Sequence, residues 1–229
     1  MFLGDDCMQE IIDKYHLTKE ENVFLAKKVL VNSIYNSAKL EGLNVTFPET
    51  QTILDGINVA NLKLDDITCI LNLRDAWREV LNNLDSELNL DYICLVNSYV
   101  SRNESLKWGV LREGNVGISG TDYKPSIPVK SEVESELSKI FSIKTPTLRA
   151  IKLMLYGARS QLFWDGNKRT SMIIANKVMI ENGAGIITVP EENIIEFNKL
   201  LTDFYNTNDD TKIVEFIYNN CIFGIDYNN

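Results

Sequence analysis

One stretch of this chain, Gly109 to Pro128, is written like strand, while nearly everything around it carries a helical period. That contrast limits the fold to a mostly α-helical bundle with a single short hairpin. Apolar residues at Val23, Leu25, Ala26, Val29, Leu30, Ile34 and Tyr35 recur about every 3.6 positions and predict a helix from about Lys19 to Leu40. Thr18 and Glu21 have the spacing of a capping box at its start. Gly42 stands where a helix-ending glycine belongs. Further helices are expected over about 64–84, 91–100, 130–141, 147–161, 168–182, 191–205 and 211–221. Between 109 and 128, Val110, Arg112, Val116, Ile118 and Tyr123 lie among Gly114, Gly117, Gly120, Pro125 and Pro128, which predicts a short, mobile β-hairpin.

A chain of 229 residues is long enough to bury a real core, and no repeat or low-complexity linker divides it. Hydrophobic residues at 45% and charged residues at 24% are ordinary for a globular protein. The net charge of −9 argues against nucleic acid as a partner, because such surfaces need a basic face to displace counterions. It argues equally against an anionic membrane. Met1 to Asp6 lacks a basic segment followed by an apolar one, so no secretory signal is expected. No apolar run approaches the roughly 18 residues of a membrane span. Cys7, Cys69, Cys94 and Cys221 form no C-x-x-C pair and read as buried thiols in a reducing compartment. With one histidine, His16, a structural zinc site is not expected. The expected location is cytoplasmic.

The segment Gln161-Leu162-Phe163-Trp164-Asp165-Gly166-Asn167-Lys168-Arg169-Thr170 holds the chemistry. It follows one apolar helix and opens another, whose first turn offers unpaired N–H groups and the positive end of the macrodipole to an anion. Gly166 lets backbone approach a ligand without a Cβ in the way. Lys168 and Arg169 add positive charge, and an arginine can fork onto two phosphate oxygens. Asp165 is an oxygen ligand suited to Mg²⁺ bridging phosphates. The same Asp-Gly-Asn string is also compatible with a plain turn between helices. Trp164 is placed either to stack on a base or to pack against the hairpin.

The segment resembles the signature of Fic-domain proteins, His-x-Phe-x-Asp/Glu-Gly-Asn-Gly/Lys-Arg-x-x-Arg, matching at Phe163, Asp165, Gly166, Asn167, Lys168 and Arg169. Upstream, Ser37-Ala38-Lys39-Leu40-Glu41-Gly42 is similar to the inhibitory motif of that family, Ser/Thr-x-x-x-Glu-Gly/Asn. Arg112 to Pro128 resembles the flap that family members lay over the active site, with Val116, Gly117, Ile118 and Ser119 at its centre. The resemblance covers about residues 20–185. It implies an N-terminal extension over 1–18 and a Fic-type helical domain over 19–185, with the inhibitory helix at 19–42 and the flap at 109–128. Helices of 186–229 would pack on the same domain.

By the same resemblance, the activity is AMP transfer from ATP to a hydroxyl of a target protein. Asp165 would hold Mg²⁺, Gly166 and Asn167 would form the anion hole, and Lys168 and Arg169 would grip phosphate. Glu41, with Ser37 and Gly42, would be inhibitory, and homo-oligomers are common in the family. Two positions depart from the signature, and a third takes the less common of its two residues. Gln161 stands at the position of the base, and a glutamine cannot accept a proton near neutral pH. Met172 replaces the last arginine, and Lys168 the commoner glycine. The implied function is therefore an AMP-transferase scaffold with an impaired reaction. The alternatives are a non-catalytic nucleotide- or partner-binding relative and, less well supported because it too needs a base, a Doc-like phosphotransferase.

Overall fold

The computed structural model describes residues 11–60 and 62–226, so the chain start and Cys7 lie outside the described residues. The helices are α1 (Lys19–Lys28), α2 (Leu30–Leu40), α3 (Phe47–Leu54), α4 (Leu64–Asn82), α5 (Leu90–Val100), α6 (Lys130–Phe141), α7 (Pro146–Ser160), α8 (Asn167–Glu181), α9 (Ile194–Thr207) and α10 (Thr211–Asn220). A 3-10 turn at Glu191–Asn193 leads into α9. Two short strands, β1 (Ile186–Ile187) and β2 (Ile222–Phe223), pair antiparallel with Ile186 opposite Phe223 and Ile187 opposite Ile222. The mostly helical reading therefore holds.

Several boundaries differ from the sequence reading. The helix expected from Lys19 to Leu40 is interrupted at Val29 (φ −98°, ψ 10°). There, Val29 and Val31 place two β-branched side chains within one turn, which weakens helix propensity. Its start is as read: Thr18 and Glu21 form the reciprocal capping box. Gly42 (φ +80°) ends α2, with its N–H donating to the Lys39 carbonyl and Leu43 N–H to that of Ala38. Helix α3 went unread although Thr46 and Glu49 build a second capping box, with Pro48 in the first turn.

The larger correction concerns the hairpin. Residues 109–129 contain neither strand nor helix, and the strand pair lies instead at β1 and β2. The segment needs no ladder because a side chain satisfies its backbone. Arg112, 1% exposed, donates to the carbonyls of Gly114, Pro125 and Ser126, and to that of Gln161 outside the segment.

Helix α8 is the centre of the molecule. From Asn167 to Ile180 every residue except Lys168 is buried, as a helix surrounded on all sides must be. Helices α7, α5, α4 and α1 and strand β1 pack around it. The α7–α8 contact is tight: a Cβ added at Gly157 would lie 2.1 Å from the Ser171 hydroxyl oxygen.

Two buried asparagines take the place of a third strand beside β1. Gly185 and Ile187 turn their N–H and C=O groups away from β2. Asn22 of α1 pairs with both groups of Gly185, at 2.7 and 3.0 Å. Asn176 of α8 pairs with both groups of Ile187, each at 2.8 Å. Each amide reproduces the donor and acceptor of a neighbouring strand, which leaves no buried backbone group without a partner at these positions.

Among the described residues, no helix is long and apolar enough to cross a membrane. Cys69, Cys94 and Cys221 are free. We expect Asn176→Ala to orphan two buried backbone groups and to cost about 2–4 kcal/mol. Exposed Asn182, whose amide reaches back to the Val178 carbonyl at 2.8 Å, serves as the control and should change stability by about 0.5 kcal/mol or less on substitution with alanine. Urea denaturation of both variants checks this, and equal losses would remove the asparagine-for-strand account.

Candidate functional site

The loop from Gln161 to Gly166 is set by two residues in left-handed backbone. Gln161 (φ 48°, ψ 60°) ends α7, and Gly166 (φ 71°) precedes the first residue of α8. Asn167 closes the loop on itself. Its Oδ1 accepts from Phe163 N–H at 2.8 Å, and its Nδ2 donates to the Phe163 carbonyl at 2.9 Å and to Gln161 Oε1 at 3.0 Å. Gln161 Nε2 in turn donates to the Ala158 carbonyl at 2.7 Å. Phe163 and Leu162 are each 3% exposed and anchor the loop in the core.

A cavity of about 450 Å³ opens over this loop, a volume suited to a nucleotide-sized ligand. Its walls bring together Gln161, Asp165, Gly166, Asn167 and Lys168 from the loop, Glu41 from the end of α2, and Gly117, Ile118 and Ser119 from the flap. The fourth wall was not read from the sequence: Asn198, Leu201, Thr202 and Tyr205 of α9. No local motif marks them; they arrive only because α9 packs beside the loop. Trp164 lines the cavity and also packs on the flap, where a Cβ on Gly114 would come within 2.6 Å of its ring. His16 is exposed and is not part of the cavity wall.

The electrostatics favour an anion at the loop and oppose it at the mouth. Gly166 has no side chain to cap α8, so the first-turn N–H groups of that helix remain for an outside acceptor. Asp165 presents a carboxylate whose side chain is 46% exposed, and its Oδ1 accepts from the Gly166 N–H at 2.5 Å. Glu41 lies opposite, with its carboxylate 3.5 Å from the Lys168 ammonium, which also approaches the Leu40 carbonyl at 3.5 Å. Both partners are partly exposed, so the pair is loose and screened.

Some residues read as site residues do not reach the cavity. Arg169 is 5% exposed and points into the protein. Its Nη1 donates to Glu104 at 2.7 Å, Cys69 Sγ at 3.1 Å and the Val100 carbonyl at 3.4 Å, and Nη2 meets Asp165 at 3.3 Å. Burial opposes its charge, but Cys69, Glu41, Glu104 and Asp165 outweigh that and raise its pKa. Burial also pushes the Cys69 thiol up to about 12. Gly166 does line the cavity, and its lack of a side chain also serves α5: a Cβ there would meet Val100 Cγ1 at 2.8 Å. Val116 sits on the flap away from the wall, while Ser37 and Gly42 act within the end of α2, where Ser37 accepts from Glu41 N–H at 3.2 Å.

Asn97 of α5 went unread and joins the parts. It is fully buried, donates to the Asp165 carbonyl at 3.0 Å and Thr170 Oγ1 at 3.1 Å, and accepts from Gly109 N–H at 2.9 Å. It thus fixes the base of the flap to the loop and to α8.

The sequence matches no family model. No curated protein matches it either. The fold, however, has solved counterparts. A fragment of Fic-1 from C. elegans (residues 134–508) superposes with a TM-score of 0.75 at 19% identity, over 86% of this chain and 61% of that one. A Fic-domain-containing signaling protein from Bacteroides thetaiotaomicron gives 0.68 at 20% identity, over 89% and 85% of the two chains. A Fic family protein from Desulfovibrio desulfuricans gives 0.69 at 15%, over 88% and 62%. The fold is the Fic fold. At these identities the likeness speaks to architecture alone, and this chain spans under two thirds of the C. elegans fragment.

Replacing Asn97 with alanine should leave the Gly109 N–H and the Asp165 carbonyl without partners and cost about 1–3 kcal/mol. Amide hydrogen exchange should show Gly109 and the loop at 161–166 opening together. Protection unchanged at Gly109 would mean that the flap is held elsewhere.

Proposed function

We propose that this chain is a nucleotide-binding Fic scaffold in which Mg-ATP occupies the cavity and AMP transfer to a protein hydroxyl has lost its base. The observation that carries the reading is the bonding of Gln161. Both polar ends of its amide are engaged, Oε1 by Asn167 at 3.0 Å and Nε2 by the Ala158 carbonyl at 2.7 Å. The residue at the position of the base therefore serves the loop's shape and presents no proton acceptor to a substrate. A general base is worth about 10²–10⁴ in rate, so what transfer remains is slow. This favours a binding or regulatory role over catalysis.

The cavity fits the proposed ligand. Uncapped N–H groups at the start of α8 and the Lys168 ammonium would receive phosphate oxygens. Among the described residues, no cluster of three His, Cys, Asp or Glu could cage a metal by itself. A single carboxylate, Asp165, fits an ion such as Mg²⁺ that arrives with the phosphates and keeps much of its water. When bound, that ion would neutralise phosphate charge. Glu41 holds Lys168 until phosphate competes for it. The flap residues 117–119 would present a target hydroxyl at the opposite rim.

Calorimetric titration with ATP tests this, with and without Mg²⁺. We expect Mg-dependent binding, weakened roughly tenfold or more by Asp165→Ala and strengthened by Glu41→Gly. Equal affinity with and without Mg²⁺, or none even in Glu41→Gly, would sink the nucleotide reading. Gln161→His combined with Glu41→Gly should raise self-labelling by AMP by about 10²-fold or more over Glu41→Gly alone. If nucleotide binds but labelling stays flat, the scaffold is a binder and its transfer geometry is gone.

A further inference from the structure

A segment of loop that crosses a cavity mouth without strand partners needs another means of staying there. At its neck the flap is held by Arg112, which bonds the carbonyls of Gly114, Pro125 and Ser126. Nothing at the neck fixes the part that faces the cavity, residues 117–119. Farther along, the flap meets a second cation. The Arg159 guanidinium lies 3.9 Å from the centre of the Tyr123 ring, and its Nη1 is 3.0 Å from the Tyr123 hydroxyl. The same side chain donates to the Phe204 carbonyl at 3.3 Å and the Tyr205 carbonyl at 3.1 Å, at the last turns of α9. Two residues before Tyr123, the Thr121 hydroxyl bonds the Asn206 side chain.

These contacts join three walls of one cavity. Arg159 belongs to α7 just before Gln161, Tyr123 follows the flap residues that line the mouth, and Tyr205 is itself in the α9 wall. An arginine is needed for this: one face takes the ring while the planar fork reaches two carbonyls, which a lysine cannot do.

We infer that Arg159 is a positioning residue, a latch that fastens the flap to α9 through Tyr123 and thereby sets the opening of the cavity. It acts through Tyr123 and the α9 carbonyls and touches no ligand. Released, the flap would keep only its Arg112 neck and the exposed Thr121–Asn206 bond, and would uncover the cavity more often. The latch rests on the proposed site only in that its flap faces that cavity; its existence does not depend on what the cavity binds.

Hydrogen exchange at the Tyr123 amide, which donates to the Thr121 hydroxyl at 3.0 Å, tests it directly. Arg159→Met should speed its exchange about tenfold, while the neck at 109–112 and the helices stay protected. Tyr123→Leu, a change on the partly exposed flap that does not threaten folding, should do the same. Arg159→Lys should recover little. The double variant should exchange no faster than either single one, because both remove the same contact. Additive effects, or exchange at the Tyr123 amide unchanged in both single variants, would overturn the latch. A second readout separates the latch from the nucleotide reading. If Mg-ATP binds, its association should be several-fold faster in Tyr123→Leu, and an unchanged rate would show that the latch does not govern access. If it binds neither form, the nucleotide reading fails while the exchange result still decides the latch.

Discussion

A helix buried on every face must find partners for the polar groups it carries, and most of this fold follows from how α8 does so for nearly all of them, the Arg169 Nε excepted. Several of its polar side chains take hold of different neighbours. Asn167 closes the loop before it, Thr170 meets Asn97 of α5, and Asn176 pairs with β1. Arg169 bonds Glu104 beyond α5, and Lys177 bonds the Leu84 carbonyl and Glu181 with the Tyr92 ring 5.2 Å away. Apolar packing supplies the driving force, but it is non-directional. The buried polar contacts are what select one arrangement, since each orphaned group would cost about 1–3 kcal/mol.

The cavity inherits its shape from that helix. Because α7 and α8 touch closely at Gly157 and Ser171, the loop between them has no slack, and it turns through left-handed backbone at Gln161 and Gly166. Asn167, at the first position of α8, then ties the loop to its own base. The only residue in the first turns of α8 that escapes burial is Lys168, and it faces the cavity. A rigid helix thus delivers one cation and its free N–H groups to one place, which is the requirement for binding an anion in a fixed pose.

The helical part of this was legible because its signals are local: apolar period, the Thr18–Glu21 box and Gly42 sit within a few residues of what they control. The turn into α8 at Asp165-Gly166-Asn167 was legible for the same reason. What sequence could not supply was direction. Arg169 and Lys168 are adjacent and equally basic, yet one is buried against Glu104 and the other faces the cavity; helical rotation of about 100° per residue separates them. Gly166 takes left-handed backbone, a local demand, but it also leaves room for Val100, sixty-six residues earlier in the chain. The flap has strand-like composition but no strand, because a single arginine satisfies its carbonyls. Its hold on α9 joins residues far apart in the chain and has no pattern to read.

The same geometry makes sense of two residues of the signature segment as one exchange. Positions 168 and 172 lie one turn apart on the same face of α8, both toward α2. Where the signature has an arginine at the second, Met172 is 5% exposed and packs with Leu40, Met154, Phe197 and Leu201. An unpaired cation there would be buried among apolar groups at high cost. The charge stands instead at Lys168, and Glu41 meets it at 3.5 Å. An ammonium offers a point charge without the fork of a guanidinium, and this pair is partly exposed, so the carboxylate is held more loosely than a buried arginine would hold it. A phosphate entering the cavity would then displace Glu41 against a small electrostatic penalty. Under the proposed function, in which Gln161 supplies no base, easy release of Glu41 would favour occupancy of the cavity without adding to turnover.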